Sequence, residues 1–280
     1  MIMLGLSGRI IEQSATNYQM STPDFIAATA EIGYQAVELR AGQLNVGTPD
    51  AEIADIGHAL SQNGVACAFC NCLVEQTADT IGSVRRMAEI ARGLASPYLR
   101  MGMTDVGWMQ RACDIADEYE VGVVVQIHTN TPLETVEGAM RVCAQIERPN
   151  FGLTYEPANF VLAGRDYGAE ALKQLGDRLR NVTLQNLKPV EATEGEGIIV
   201  HNDRGFTRCL PGDPDGVSFE RVFAGLKAVG YRGYATLIEP ISPTMDSMAL
   251  AKLYLEKLAP SSSTSTVSPA PASRRPRCRL

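Results

Sequence analysis

Four short apolar runs each stop on a side chain whose oxygen accepts hydrogen bonds. VGVVVQ ends on Gln126, FGLTYE on Glu156, NVTLQ on Gln185 and YATLIE on Glu239. Glu156 and Glu239 are followed at once by Pro157 and Pro240, which carry no backbone N–H and so stop ladder pairing there. Runs this apolar read as strands buried on both faces, the pattern of a parallel sheet. If those strands close into a parallel barrel, their C-terminal ends surround one mouth and the four acceptors converge on one point. Such a cluster would hold a polar ligand.

The elements needed to position them can be read along the chain. Short apolar runs alternate with helical patterns, which argues for βα units around a parallel sheet. The first strand covers residues 3–6 and is followed by Ser7, Gly8 and Arg9; the next helix takes Thr22 as N-cap, starts near Pro23 and ends at Gly33. The second strand, 36–39, exposes Glu38 or Arg40 near its end, and a helix from Pro49 stops at Asn63-Gly64. Strands are expected at 65–69, 98–101, 121–127, 151–155, 182–184 and 234–238, with helices at 79–93, 108–119, after Pro132 to Ile146, 169–175, 219–229 and 244–258. Residues 79–93 place Ile81, Val84, Met87, Ala88 and Ala91 on one face and three arginines on the other. Eight strands and eight helices predict an α/β fold, a single-domain (β/α)8 TIM barrel over residues 1–259.

Length and composition agree. The 280 residues suit one barrel, since such domains run to about 250 residues without splitting. A hydrophobic fraction of 45% and a charged fraction of 20% belong to a globular chain with a full core. No run reaches the roughly 18 apolar residues of a membrane span and no signal segment is visible, so a cytoplasmic location is expected and a membrane partner is not. Seven cysteines sit mostly inside predicted elements, which suits a reduced compartment. CAFCNC, holding Cys67, Cys70 and Cys72, has no second Cys/His cluster at zinc spacing, and its thiols read as core or rim residues. The net charge is −7; without the four arginines of SRRPRCRL the rest carries 21 basic and 32 acidic residues, a poor surface for nucleic acid.

Residues 186–217 form the longest connection, rich in Gly and charge and without a clear helical pattern; connections of that length are usually functional. It lies on the mouth side and carries His201, Arg204 and Arg208, which suggests a lid over a polar ligand, with a solvated excursion as the alternative. Residues 260–280, Ser/Pro-rich and then Arg-rich, are expected to form a disordered tail outside the fold.

IGYQAVELR, VVVQIHTN, GLTYEPANF and above all PGDPDGVSFERVFAGLKAVGYRGYATLIEP resemble the xylose isomerase-like TIM barrels, the sugar phosphate isomerase/epimerase group, over residues 3–258. The resemblance implies a divalent metal at the mouth, held by Glu, Asp, His and Glu on strands five to eight. Carried over, those positions are Gln126, Glu156, Gln185 and Glu239, so the first acid and the histidine are both Gln here. All four still offer oxygen, which favours Mn2+ or Mg2+ over zinc. His128 matches a histidine that often follows the strand-five Glu of that family.

The resemblance further implies an isomerase or epimerase of a small sugar, sugar phosphate or polyol derivative, acting by proton transfer next to a carbonyl. Glu239 is the expected base, Glu156 a metal ligand or proton partner, and His128 the second group that epimerisation needs, since Gln126 cannot exchange that proton. Arg40, Glu38, Asn159, Lys188 and Trp108 are candidate substrate contacts, and a homo-oligomer is admitted. Two other readings stay open: a lyase or dehydratase acting on a keto-sugar through the same enolate, and an altered sugar-binding or accessory subunit, for which the two glutamines speak.

Overall fold

The computed structural model describes residues 1–263; the candidate tail lies outside them except for its first residues, where the last helix runs on to Ser263. The chain begins with β1 (Ile2–Ser7), a 3-10 turn at Gly8–Ile11, and a small hairpin of β2 (Glu12–Ser14) and β3 (Asn17–Tyr18). It continues through α1 (Thr22–Ile32), β4 (Ala36–Leu39), α2 (Asp50–Asn63), β5 (Ala66–Asn71), α3 (Ile81–Gly93), β6 (Tyr98–Met101), α4 (Val106–Asp117), β7 (Gly122–Gln126) and α5 (Val136–Ile146). Next come β8 (Phe151–Tyr155), α6 (Pro157–Leu162), α7 (Ala169–Leu175), β9 (Leu179–Leu184), β10 (Leu187–Val190), β11 (Ile199–His201) and β12 (Arg204–Arg208). The chain then forms α8 (Phe219–Ala228), β13 (Gly233–Leu237) and α9 (Ser247–Ser263).

Eight parallel strands close in the order β1-β13-β9-β8-β7-β6-β5-β4, with β4 returning to β1 through Gly5↔Ala36, Leu6↔Val37 and Ser7↔Glu38. This is the (β/α)8 barrel expected from the sequence. Local chemistry sets its boundaries. The Ser21 hydroxyl accepts from the Asp24 N–H and caps α1, one residue earlier than the expected Thr22. Gly33 and Gly64 end α1 and α2 at φ 110° and 63°, a region that residues with a Cβ rarely enter. Arg85, Arg86 and Arg92 on the outer face of α3 pair with Glu118, Asp50 and Glu120.

The main core lies between barrel and helices, where Phe25, Phe151, Phe160, Phe223 and Trp108 are buried. Inside the barrel, alternation along each strand selects what faces the axis. A Cβ at Gly122 would stand 2.8 Å from the Tyr98 ring, and one at Gly152 would stand 2.1 Å from Cγ of Arg180, so these glycines leave the interior room for larger neighbours. Further along the same strands the interior turns polar, with Thr154, Asn181, Thr183 and Thr236 buried.

Three features depart from the sequence reading. The connection after β9 holds a three-stranded antiparallel sheet in the order β10-β12-β11 where only a loop was expected. Gly205 in β12 shows why a side chain is excluded there: a Cβ would lie 1.7 Å from the backbone oxygen of Ala192. The turn of α6 directly after β8 and the β2–β3 hairpin were also missed. Both are too short to show a hydrophobic period.

Phe223→Ala removes a fully buried ring of α8 and should cost about 3–5 kcal/mol, read as a lower urea midpoint.

Candidate active site

The C-terminal ends of the barrel strands surround a cavity of about 370 Å³, lined on its apolar side by Leu73, Leu162, Leu187, Ile199 and Ile238. Its polar side is made by Gln126, His128, Glu156, Asn159 and Gln185 together with four arginines, Arg9, Arg40, Arg100 and Arg208. The convergence expected at this mouth is therefore present for Gln126, Glu156 and Gln185.

Glu156 stands between β8 and α6, at the N-cap position, yet its side chain makes no cap bond. The carboxylate turns instead into the barrel. There Oε2 accepts from the Thr183 hydroxyl at 2.9 Å and from Nε2 of Gln126, while among the described residues Oε1 takes no hydrogen bond. Burial raises its pKa, opposed by the Thr183 hydrogen bond and by the charges of Arg100, His128 and Arg9. Gln126 passes the coupling on, since its Oε1 accepts from Arg100, which also donates to Oδ1 of Asn71 at 3.2 Å. Burial pulls the Arg100 pKa below its usual value.

Glu239 is present at the mouth but differently used. Oε1 accepts from the Asn186 N–H and from the Tyr254 hydroxyl of α9 at 3.1 Å, and Oε2 accepts from Arg208 at 3.1 Å. Arg208 bonds Oε1 of Gln185 at 3.0 Å through the same nitrogen. Burial raises the Glu239 pKa and Arg208 opposes it. With both oxygens engaged, Glu239 is placed to hold Arg208, whereas Oε1 of Glu156 has no hydrogen bond among the described residues. The two carboxylates therefore differ in how fully their oxygens are engaged.

His128 is exposed on the cavity wall, with Nδ1 3.0 Å from the Thr129 carbonyl oxygen; the tautomer that donates there leaves Nε2 as the basic nitrogen. Asn159 lines the cavity and donates to the Ile127 carbonyl at 3.0 Å. Arg40 lines it too, paired with Glu12 at 2.9 Å and Glu38 at 3.4 Å. Glu38 is fully buried behind it, tied to Ser7 and Asn71.

Two candidate contacts stand elsewhere. Trp108 is 1% exposed in the core and donates its indole N–H to the Thr77 carbonyl at 2.8 Å, because its position on α4 faces the barrel wall. Lys188 is not among the cavity residues and pairs with Asp213 at 2.7 Å. Arg9 and Arg100 were missed. The signals were an arginine directly after the first strand and a lone arginine within the apolar run YLRM.

The small sheet β10–β12 packs over one side of the mouth. Leu187 and Phe206 bury against Ala158 and Leu162 of α6. His201 Nε2 lies 3.2 Å from Oε1 of Glu134, whose Oε2 accepts from the Asn130 N–H at 2.7 Å, and this ties the sheet to the loop that carries His128.

The residues present do not fit a divalent cation. Gln126, Gln185 and Glu239 have their oxygens taken up by Arg100, Arg208, Asn186 and Tyr254, and guanidinium groups stand among the positions that the resemblance assigned to ligands. A hard cation needs protein oxygens whose lone pairs face it instead of N–H and O–H donors. Among the described residues no group of three or more His, Cys, Asp or Glu is arranged to hold a metal. Cys67 and Cys70, with sulfurs 3.8 Å apart, are buried in the wall.

Trp108→Phe should lower the unfolding midpoint while leaving ligand affinity at the mouth unchanged, a separation that paired thermal melts and binding titrations would read. Glu134→Gln should loosen the small sheet, seen as faster amide exchange across residues 199–208 with the barrel unaffected.

Solved structures with this architecture share little sequence. The IolI protein with a bound zinc atom aligns over 94% of this chain and 100% of its own, with TM-score 0.72 and 17% identity. D-psicose 3-epimerase of Clostridium cellulolyticum H10, solved with D-tagatose, aligns over 93% and 99% with TM-score 0.72 and 11% identity. At such identity the likeness concerns the fold. An inosose dehydratase of Geobacillus thermodenitrificans (strain NG80-2) is 26% identical over 129 residues, 45% of this chain, and the match spans 43% of that relative's length. The xylose isomerase-like TIM barrel model matches residues 108–259, more than half of the chain and the half that supplies Gln126, Glu156, Gln185 and Glu239; this protein belongs to the xylose isomerase-like TIM barrel family.

Proposed function

We propose that the mouth is the active site of an isomerase or epimerase that moves a proton on the carbon next to the carbonyl of a small sugar or polyol derivative. The observation that carries this reading is Glu156: a buried carboxylate with Oε2 fixed by Thr183 and Gln126 and Oε1 open to the cavity. A base of this kind needs a fixed direction of approach and an unshared lone pair. Support from outside the chain comes from its family and from the epimerase and dehydratase folds that it resembles.

Glu156 removes the proton bonded to the carbon beside the substrate carbonyl, and the electron pair of that bond moves onto the carbonyl oxygen to give an enediolate. The guanidinium N–H groups of Arg100 and Arg208 face the same cavity and stabilise the negative oxygen. Transfer of the proton of the adjacent hydroxyl to the enediolate oxygen, with return of the carbon proton by Glu156 to the former carbonyl carbon, gives the 1,2-isomer. Delivery of a proton from His128, which lines the same cavity, to the other face of the carbon that lost its own gives the epimer. Arg40 and Asn159, which line the cavity, hold substrate hydroxyls in this reading, and the small sheet keeps water from one side of the mouth. The expected Mn2+ or Mg2+ enters none of these steps, because the residues present do not fit it.

Dehydration is the second reading, favoured by the match to inosose dehydratase. It begins with the same proton removal and ends with loss of hydroxide from the next carbon instead of reprotonation.

Incubation of the protein with a panel of ketoses and inososes in D2O, followed by NMR, should show deuterium entering next to the carbonyl; loss of water from the product would select dehydration. Glu156→Gln should slow exchange about 10²- to 10⁴-fold with the fold retained by circular dichroism. An unchanged rate in that variant removes Glu156 as the base.

A further inference from the structure

We propose that the mouth is an oxyanion site in which guanidinium groups take the place of a divalent cation, so that the ligand carries a carboxylate or phosphate group received by Arg9. This rests on reading the mouth as the substrate site.

Arg9 follows β1 in the 3-10 turn Gly8–Ile11, and its side chain lines the cavity. Among the described residues no hydrogen bond or ion pair holds its guanidinium; its backbone alone is engaged, the N–H with the Ser7 hydroxyl and the carbonyl with the Glu12 N–H. Burial lowers its pKa, and the charges of Arg208 and Arg40 lower it further, against the opposing attraction of Glu156 and Glu239. A half-buried guanidinium with no bonded partner gains from an oxyanion that gives it charge-assisted hydrogen bonds. Its planar fork suits a carboxylate or phosphate with two parallel hydrogen bonds.

The surrounding charges point the same way. Four guanidinium groups line the cavity against one carboxylate, Glu156. Glu12 and Glu38 stand against Arg40, and Glu239 against Arg208, so those acids balance particular arginines. Arg9 and Arg100 have no carboxylate bonded to them. A dication brought here would meet guanidinium groups at the positions where it needs oxygens. An oxyanion would complete the set.

The test uses the full chain, dialysed against EDTA, in calorimetric titrations with D-gluconate, inorganic phosphate, neutral D-fructose and MnCl2. At least one anion should bind saturably with EDTA present, and which one binds tells a carboxylate ligand from a phosphate ligand. Arg9→Gln should weaken that binding about 10- to 100-fold, with Arg9→Lys in between because it keeps the charge and loses the fork. Circular dichroism checks the fold of both variants, and affinity should fall as salt is raised. The proposal is overturned if neither anion binds, if both Arg9 variants bind like the parent, or if Mn2+ binds stoichiometrically and is lost in Glu156→Gln. Anion binding without deuterium exchange on any substrate would remove the isomerase and leave this site standing. Exchange on a neutral ketose that requires added Mn2+ would do the reverse.

Discussion

Closure of the barrel is the constraint on which everything else depends. β1 pairs with β13 on one side and β4 on the other, and this brings residues at the two ends of the described chain into one ring. Because all eight strands run parallel, every C-terminal end arrives at the same mouth, and side chains far apart in sequence become neighbours. Arg9, Arg100 and Glu156 share a cavity for that reason, and Arg208 joins them from the small antiparallel sheet.

Inside the ring, packing and polarity are separated along the barrel axis. The N-terminal part is filled by large side chains such as Tyr98, for which Gly122 leaves room. Toward the mouth the inward positions become Thr154, Thr183 and Thr236 and then Gln126 and Glu156. A buried carboxylate is costly unless its oxygens are bonded. Glu239 meets that requirement completely through Asn186, Tyr254 and Arg208, and Glu156 meets it at one oxygen only. On that difference rests the proposal that Glu239 is a positioning group and Glu156 the base.

The outer elements serve the mouth as well as the core. Tyr254 brings α9 to Glu239 and to the Cys209 carbonyl, so the last helix helps to fix the connection that carries Arg208. Glu134 joins His201 of the small sheet to the loop after β7. The sheet is thereby anchored at both Glu134 and Arg208, which gives the long connection a defined place instead of a free excursion.

The sequence by itself determined the barrel: the alternation of apolar runs with amphipathic stretches is a local signal, and strands such as Phe151–Tyr155 and Tyr98–Met101 were read with their observed ends. It also determined that Gln126 ends a strand and that Glu156, Gln185 and Glu239 stand one or two residues past strand ends, since a proline or a polar residue after an apolar run is visible in one dimension. Only the tertiary structure decided what those ends do. Which oxygen of which carboxylate stays free depends on Thr183, Tyr254 and Asn186, and whether the mouth attracts a cation or an anion depends on Arg9 and Arg100; none of these is near its partner in sequence. Trp108 and Lys188 make the same point from the other side, one turned into the core and one paired with Asp213. Electrostatic fields and hydrogen-bond partnerships act through space at a few ångströms, while periodicity acts along the chain, and a sequence displays only the second.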